Sequence, residues 1–534
     1  MGAEGATGYP PISQAKGQGR LNTVYSLFLG LLFCRKSNFF IFRGNVMQVF
    51  LDGLLKIVET INAYLSDYVL IVLLIGVGVF FTIKTHFVQV RCFRQGIKQV
   101  FGKKKSKAGK GMTSFQAFTT AVAAQVGTGN IVGASGAILA GGPGAIFWMW
   151  LIAFLGMATN YSEAVLAIKT RKPSEEGGYK GGPVYYIKHA FKGEFGKILS
   201  GFFAISTIIA LGFVGSMVQS NSIASTVGEV SGIPAWIIGV ILSVLVGLVL
   251  LGGIKRLARV TEKLVPIMAI IYLLGGLVVI FSRVTLIPEA IAMIFKYAFV
   301  PQAIIGGGIG SAIKMAISQG AKRGLFSNEA GMGSTPHAHA QADVETAHKQ
   351  GVSAMIGVFF DTFVVLTMTA LIVIVTLYAG GGKLSTVEGL NLATAEGLDK
   401  TNLIKNAIAS VFNFSNVGLT IGGIFVSVCL FFFAFSTILS WNLFGKINFN
   451  YLFGKKSTFV YMAISIIFVF LGSVFKNNLV WELTDFFNYL MVIPNVIALI
   501  ALYKMVVNEL KENGQGKSAV ETPNVPLEGV EGKN

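Results

Sequence analysis

A short polar stretch lies inside a long apolar run, at positions where a lipid-facing helix would carry leucines. It reads Gln125-Val126-Gly127-Thr128-Gly129-Asn130, within the apolar run 115–140. Glycine costs a helix about 1 kcal/mol relative to alanine, so two glycines this close predict an interrupted helix. The half beginning near Thr128 would direct N–H groups at a carboxylate, and the half ending near Gln125 would offer carbonyl oxygens to a cation. The alternative is a close crossing of unbroken helices through small residues.

A second group of glycines lies about half a chain later, in the apolar run 303–322. Its members are Gly306, Gly307, Gly308, Gly310 and Gly320, and the run continues into the stretch 324–331. With the first apolar run of the chain set aside, each half of five runs opens with an interrupted segment, as in inverted-repeat transporters. The second break is expected near Gly308–Ser311 or near Gly320–Asn328. Two unrelated glycine-rich helices are the alternative.

Hydroxyl and indole side chains recur on the apolar run 413–444. Ser436 and Ser440 lie one helical turn apart, as do Thr437 and Trp441. Sodium prefers hard oxygen ligands, and neutral hydroxyls together with carbonyls supply them without a fixed charge. The alternative is a set of hydroxyls that bond back to the carbonyl four residues earlier.

Three carboxylates lie in or beside apolar runs, where ionisable groups usually face a cavity or a partner: Glu163, Glu329 and Asp361. Asp361 lies deepest, and it would either assist a cation or pair structurally. Glu163 and Glu329 lie near the expected cytoplasmic ends, so a role in transport competes with helix capping or with pairing to Lys322, Arg323 or Arg171.

The sequence argues against enzymatic chemistry and against direct use of ATP. His337 and His339 are two residues apart and do not share a helix face, so we expect no metal site there. No GxxxxGK[ST] loop, helical HExxH or GxSxG motif occurs. The energy for transport would then come from an ion gradient, from the substrate's own gradient or from another subunit.

The composition indicates a membrane protein. Of 534 residues, 53% are hydrophobic and 13% charged, whereas soluble chains carry about a quarter charged residues. The net charge of +18 comes from lysines and arginines in short loops, so we expect no nucleic-acid binding. Eleven apolar runs are long enough to cross a bilayer: 66–83, 115–140, 144–168, 198–224, 234–253, 263–282, 303–322, 352–378, 413–444, 458–475 and 479–507.

The distribution of Lys and Arg between loops predicts the orientation. The loops on one side hold nine, seven, four, four and three of these residues, 27 in all, against six on the other side. Because the basic side faces the cytoplasm, we expect a multi-pass protein of the bacterial-type plasma membrane with its C-terminus inside.

Four motifs resemble those of the sodium:alanine symporter family, also called alanine or glycine:cation symporters. The longest is GGPGAIFWMWLIAFLG at 141–156, which carries four aromatic residues. The others are GTGN at 127–130, RGLFSNEAGMGS at 323–334 and GVFFDT at 357–362, and the similarity covers about residues 62–510. The resemblance implies an all-α integral membrane protein with the leucine-transporter-type fold. That fold has two inverted repeats of five helices, here with one extra N-terminal transmembrane helix.

With this resemblance, the chain divides into five predicted segments. Residues 1–46 have no counterpart in the family, and Met47, which opens an amphipathic stretch, is an alternative start. The others are 47–110, with the extra helix and a basic cytoplasmic loop; 111–285, the first repeat; 286–508, the second repeat; and 509–534, a disordered cytoplasmic tail.

The resemblance also implies the function and the residues of the site. It implies sodium-coupled uptake of small neutral amino acids such as alanine or glycine, with no cofactor besides the co-transported ion. The number of sodium ions and the oligomeric state stay open, as does the choice among alanine, glycine and D-isomers. The implied substrate-binding residues are Gln125, Gly127, Thr128, Gly129, Asn130, Met217, Thr437 and Trp441. The implied sodium ligands are Ala123, Val126, Asn130, Ser436 and Thr437.

Rival interpretations keep the membrane location but change the activity. One is a proton-coupled or uncoupled amino-acid carrier of the same fold. Another is a channel or sensor that uses the fold for signalling.

Overall fold

The computed structural model describes residues 51–102, 111–174, 178–299, 309–386, 397–411, 415–475 and 478–514, without the side chains of 309–312 and 415–419. The predicted segment 1–46 lies outside these ranges, as do the glycines at 306–308. The chain divides after Ile57, and the architecture below is that of the unit beginning at Val58.

The described residues are almost entirely helical. Before residue 300 the helices are α1 Leu51–Lys84, α2 Val88–Arg91, α3 Phe93–Phe101, α4 Ser114–Gln125, α5 Gly129–Gly141, α6 Ala145–Thr170, α7 Pro183–Ala190, α8 Gly193–Ser231, α9 Ala235–Leu251, α10 Gly253–Ser282 and α11 Ile287–Phe299. After residue 308 they are α12 Ile309–Asn328, α13 Pro336–His339, α14 Ala347–Leu377, α15 Leu403–Ala409, α16 Ser415–Phe453, α17 Thr458–Val474, α18 Asn478–Ala501 and α19 Tyr503–Asn513.

Short strands and single turns connect these helices. The strand β1 (Met112–Thr113) pairs in parallel with β4 (Ala342–Asp343), which joins the residues before α4 to those after α13. The strands β2 (Lys172–Pro173) and β3 (Tyr179–Lys180) form an antiparallel pair. Single 3-10 turns occur at Val284–Leu286, Ala379–Gly381 and Lys455–Ser457.

Every predicted apolar run coincides with a helix of the described chain. Eight of these helices are long and apolar enough to cross a membrane, and the bent pair of α4 and α5 makes a ninth. The remaining two runs correspond to α9, which has 17 residues, and to α12, which covers the run 303–322 from residue 309 onward. The last helix continues past residue 508 to Asn513, so the start of the predicted disordered tail is helical.

The glycines at the start of α6 are required by a backbone conformation and by close packing. Gly142 has φ 70° and ψ 178°, a conformation that side-chain-bearing residues avoid. A Cβ atom on Gly144 would lie 2.2 Å from the backbone carbonyl of Tyr297 in α11. The GGPG sequence therefore allows the turn that precedes α6 to pack directly against the backbone of α11.

We expect Gly144→Ala to destabilise the protein by about 1–3 kcal/mol, because backbone atoms of Tyr297 cannot rotate away from the added methyl group. The measurement is the melting temperature of the detergent-extracted protein. Gly76→Ala in α1 is the matched control, because a Cβ atom there meets nothing within 4 Å. Equal melting temperatures for the two variants would contradict this account of the packing.

Candidate functional site

The first predicted break is present between α4 and α5, which are bent by 45°. Helix α4 starts at a capping box in which Thr113 and Gln116 exchange side-chain and backbone hydrogen bonds, and it ends where Val126 turns to ψ 90°. Both glycines of the break are in close contact. A Cβ atom on Gly127 would lie 2.5 Å from the Thr437 hydroxyl, and one on Gly129 would lie 3.1 Å from Phe326.

Side-chain amide oxygens accept hydrogen bonds from two of the backbone N–H groups that the break exposes. The Gly127 N–H donates to Asn130 Oδ1 at 2.9 Å, and the Thr128 N–H donates to Gln219 Oε1 at 3.3 Å. The hydroxyl of Thr128 is buried and has no hydrogen-bond partner within the described ranges. Gln219 was missed by the sequence reasoning, although an amide in the apolar helix α8 is itself a signal. An incoming carboxylate can replace the Gln219 oxygen at the Thr128 N–H.

Three of the five implied sodium ligands come together beside this break. The Thr437 Oγ1 atom lies 2.9 Å from the Ala123 carbonyl oxygen and 3.4 Å from that of Val126. The Thr437 hydroxyl also donates to the Phe433 carbonyl at 3.0 Å. This bond to the carbonyl four residues earlier is the one that the alternative interpretation of these hydroxyls predicts. These oxygens are hard and neutral, and the two carbonyls belong to the C-terminal end of α4, where a helix attracts cations.

The other two implied sodium ligands have different partners. The Ser436 hydroxyl donates to the Phe433 carbonyl at 2.9 Å and lies 3.4 Å from the sulfur of Met268. Asn130 accepts from Gly127 and donates to Asp361, so its amide holds the shape of the break.

Within the described residues, an irregular turn follows α12 directly after the second predicted position, Gly320–Asn328, whereas the first predicted position begins at Gly308, outside the described ranges. Helix α12 is continuous from Ile309 to Asn328, and the irregular turn begins at Glu329, which has φ 57°. Gly331 and Gly333 have φ 88° and 81°, and α13 resumes the helix at Pro336. The glycine at 320 does not break the helix, because it packs there: a Cβ atom on it would lie 2.6 Å from the Cβ of Trp148. Three residues of this turn, Glu329, Gly331 and Gly333, have positive φ.

Trp441, which the resemblance implied as a residue that limits the substrate side chain, lies against the second break. Its ring is buried, meets Phe326 edge-on at 6.1 Å, and donates from Nε1 to Glu329 Oε1 at 2.5 Å. The residue of α8 that contacts this ring is Gly215, where a Cβ atom would lie 2.7 Å away. The Trp441 ring therefore packs directly on the backbone of Gly215. Met217 is the apolar residue expected to limit the substrate side chain. It lies where α8 crosses α17, and a Cβ atom added to Gly472 would lie 2.4 Å from its Cα.

Two side chains connect the first break to the second. Asp361 accepts from Asn130 Nδ2 at 2.6 Å and from the Ser327 hydroxyl at 2.9 Å, and Thr362 donates to it at 2.9 Å. The Gln125 side chain donates to the carbonyl of Asn328 at 2.8 Å. Of the two alternatives for Asp361, the observed contacts are those of structural pairing.

The other two carboxylates contact the second break rather than lysine or arginine. Glu163 Oε1 accepts from the Gly333 N–H at 3.0 Å and from Asn495 Nδ2 at 2.6 Å. Glu329 accepts from Trp441 and from the Ser334 hydroxyl. The pairings considered from the sequence are not the observed ones.

The basic residues considered as partners for these carboxylates have other contacts. Arg323 pairs with Asp485 at 3.3 Å, and Arg171 donates to the carbonyls of Ala340 and Ala342 at 3.0 and 2.5 Å.

The two histidines near the second break are structural. His337 bonds to the Ser334 carbonyl at 2.7 Å and to Asn448 at 2.8 Å, and His339 bonds to Gln350 at 2.8 Å. Across the described residues, no group of three His, Cys, Asp or Glu side chains is arranged to hold a metal ion.

The bent first core helix, its counterpart at Glu329 and the surrounding apolar helices define a multi-pass membrane transporter of the leucine-transporter-type fold. A crystal structure of MhsT in complex with L-phenylalanine aligns over 76% of this chain and 93% of that chain, with a TM-score of 0.54 and 14% identity. At this identity the likeness shows the fold alone.

The chain belongs to the sodium:alanine symporter family, whose sequence profile matches residues 51–525. The sodium/alanine symporter AgcS of Methanococcus maripaludis is 38% identical over 85% of this chain and 96% of its own length. A putative sodium/proton-dependent alanine carrier, YrbD of Bacillus subtilis, is 39% identical over 85% of this chain and 91% of its own. This is a family of transporters and not of enzymes.

We expect Asp361→Asn to lower the transport rate at least about tenfold and the melting temperature by a few degrees. The amide offers one acceptor oxygen to three donors, and each buried donor left unpaired costs about 1–3 kcal/mol. Uptake by proteoliposomes and thermal unfolding in detergent measure the two effects. Asp399→Asn, at an exposed position, is the control. Normal uptake by Asp361→Asn would show that the two breaks do not depend on this carboxylate.

Proposed function

We propose that this protein carries a small neutral amino acid, alanine or glycine, into the cell together with sodium. The observation that carries the proposal is the convergence of the Ala123 and Val126 carbonyls on the Thr437 hydroxyl. These oxygens belong to two helices, α4 and α16, so an ion held between them joins the broken helix to its neighbour. The family and the name of the relative AgcS support the same ion and substrate.

The amino acid would bind at the other side of the first break. Its carboxylate would accept hydrogen bonds from the N–H groups of Thr128 and Gly129 and from the unpaired Thr128 hydroxyl, at the N-terminal end of α5, while the Gly127 N–H stays bonded to Asn130. Gln125 has a buried amide oxygen without a partner among the described residues, which is an acceptor for the substrate ammonium group. Trp441 and Gly215 would leave room only for a small side chain.

The mechanism follows from differential affinity. Sodium fixes the end of α4 in the geometry that presents the substrate N–H groups, so each ligand raises the affinity of the other by the same factor. Alternating access would come from rocking of the helices that carry the two breaks against α16 and its neighbours. The count of Lys and Arg supports a plasma-membrane protein whose C-terminus lies in the cytoplasm.

Two other activities remain as alternatives. The name of the relative YrbD supports a proton as a coupling ion, and an uncoupled carrier would have the same fold. A channel or sensor would show unitary currents, or ligand binding without exchange of labelled substrate. Uptake of labelled alanine into proteoliposomes, with sodium replaced by potassium at several pH values, separates these cases. Uptake that is unaffected by the replacement would contradict the sodium assignment.

We expect Thr437→Ala to raise the sodium concentration for half-maximal uptake at least about tenfold while changing the order of preferred substrates little. The variant removes one ligand oxygen and leaves the N–H groups of the first break in place. Sodium titration of alanine uptake measures the shift. Thr376→Ala is the matched control, because that hydroxyl bonds only within its own helix, to Ile372 and Val373. An unchanged sodium titration in Thr437→Ala would remove this residue from the ion site.

We expect Trp441→Phe to broaden the range of side chains accepted. The smaller ring frees volume beside Gly215 and removes the hydrogen bond to Glu329. Competition of labelled alanine uptake by larger neutral amino acids should then improve about tenfold. Trp236→Phe, at an exposed position on α9, serves as the control. If the competition profile stays as in the wild type, Trp441 does not limit the substrate.

A further inference from the structure

The carboxyl groups buried in the membrane-spanning part have only neutral hydrogen-bond donors. Glu163, Glu329 and Asp361 accept from amides, hydroxyls, one backbone N–H and one indole. Within the described part of the chain, no lysine, arginine or histidine side chain bonds to any of the three. Uncompensated charge at membrane depth costs several kcal/mol per group, so three adjacent carboxylates are expected to retain at least one proton.

The three carboxyl groups have different hydrogen-bond donors. This difference indicates which of them holds the proton. Asp361 has three donors, which is the most favourable setting for a negative charge. Glu163 has two N–H donors on one oxygen, and its other oxygen has no partner within the described ranges that could accept a proton. Glu329 Oε2 faces the Ser334 hydroxyl, which can accept a hydrogen bond as well as donate one. Only Glu329 combines few donors with an available acceptor.

The groups that face Glu329 favour its neutral form. Glu163 from α6 bonds to the Gly333 N–H, next to the Ser334 that bonds Glu329, and Asp361 from α14 bonds to Ser327, two residues before Glu329. From α16 it meets the indole of Trp441, and within its own turn it meets Ser334. The nearest basic residue in sequence, Arg323, is bonded to Asp485 on α18.

Glu329 is also placed where its charge can affect transport. It is the first residue of the second break, with a positive φ that few side-chain-bearing residues adopt. Its carboxyl group contacts Trp441, which packs on Phe326 beside the first break. A change of charge at Glu329 therefore acts on both the irregular turn and the wall of the proposed substrate site.

We propose that Glu329 is a proton-binding site of the transport cycle, protonated on the oxygen that faces Ser334 when substrate is bound. The inference rests on the proposed amino-acid symport and adds a second coupling ion to it. The proton moves inward with the substrate, because neutral Glu329 lets the turn close around the loaded site without an uncompensated charge.

The test uses the full chain in proteoliposomes with equal sodium on both sides and the membrane potential held at zero. For one proton per substrate, an outside pH lower by one unit should raise the steady-state accumulation of labelled alanine up to about tenfold. Glu329→Gln should lose this response and still exchange labelled alanine, because glutamine can accept from Trp441 and donate to Ser334. Glu194→Gln, an exposed residue paired with Lys197, is the matched control and should respond as the wild type does.

Several outcomes would overturn the inference. The first is accumulation of labelled alanine by the wild type that does not change with the pH gradient. The second is accumulation that falls when the outside is acidic. The third is a pH response that persists in Glu329→Gln. Sodium-dependent alanine uptake without any pH response would overturn this inference alone, whereas absence of alanine uptake would overturn the proposed function.

A second variant tests the same site if Glu329→Gln does not fold. Trp441→Phe removes a donor that favours the charged carboxylate, so the pH at half-maximal response should move to higher values. No movement, or movement to lower pH, would place the proton elsewhere.

Discussion

The hydrogen bonds that Asp361 accepts from Asn130 and Ser327 are the interaction on which the site depends. Each partner belongs to a different interrupted segment, and the two segments lie about half a chain apart. A helix can be interrupted at membrane depth only if its freed backbone groups find partners inside the protein. Asp361 fixes Asn130, Asn130 occupies the Gly127 N–H, and the carbonyls of α4 are left for other ligands. One buried carboxylate thus determines which backbone groups each break offers.

Close contacts between helices bring the two breaks to that carboxylate. A Cβ atom added to Gly156 of α6 would lie 2.8 Å from the Cβ of Ala330. One added to Gly351 of α14 would lie 2.7 Å from the ring of Tyr161. Small residues allow such approaches in membrane proteins, where there is little hydrophobic force between helices and packing must supply the attraction. The helices that carry the breaks are packed together in this way. Thr437 and Trp441 approach them from α16, so the proposed ion and substrate lie at a boundary between packed groups of helices.

The arrangement of charges separates the centre of the protein from its ends. Near the breaks the three carboxylates accept hydrogen bonds from neutral groups, whereas the basic residues form ion pairs with other carboxylates. Lys169 at the end of α6 pairs with Glu509 of α19 at 2.7 Å, and Lys314 pairs with Asp67 at 3.1 Å. A centre that is rich in oxygen atoms and poor in basic side chains attracts sodium ions, protons and ammonium groups, which are the ligands proposed here.

The sequence by itself determined the membrane class, the apolar helices and the family, and it indicated the first break. Each of these depends on local composition: a lack of charge over about 20 residues requires a membrane span, and GTGN within such a span disrupts the helix. It also identified Thr437, Ala123 and Val126 as residues that meet, but only through the resemblance to the family.

The tertiary structure alone decided where the second break lies and which residues contact Trp441 and the first break. The glycine at 320 looked like a helix breaker and instead serves packing, because the cost of glycine in a helix is recovered when another helix packs against it. Gly215 contacts Trp441, and Gln219 accepts from the Thr128 N–H, because the rotation of α8 about its own axis sets which residues face inward. That rotation results from the packing of α8 against α16 and α17, and no local sequence pattern specifies it.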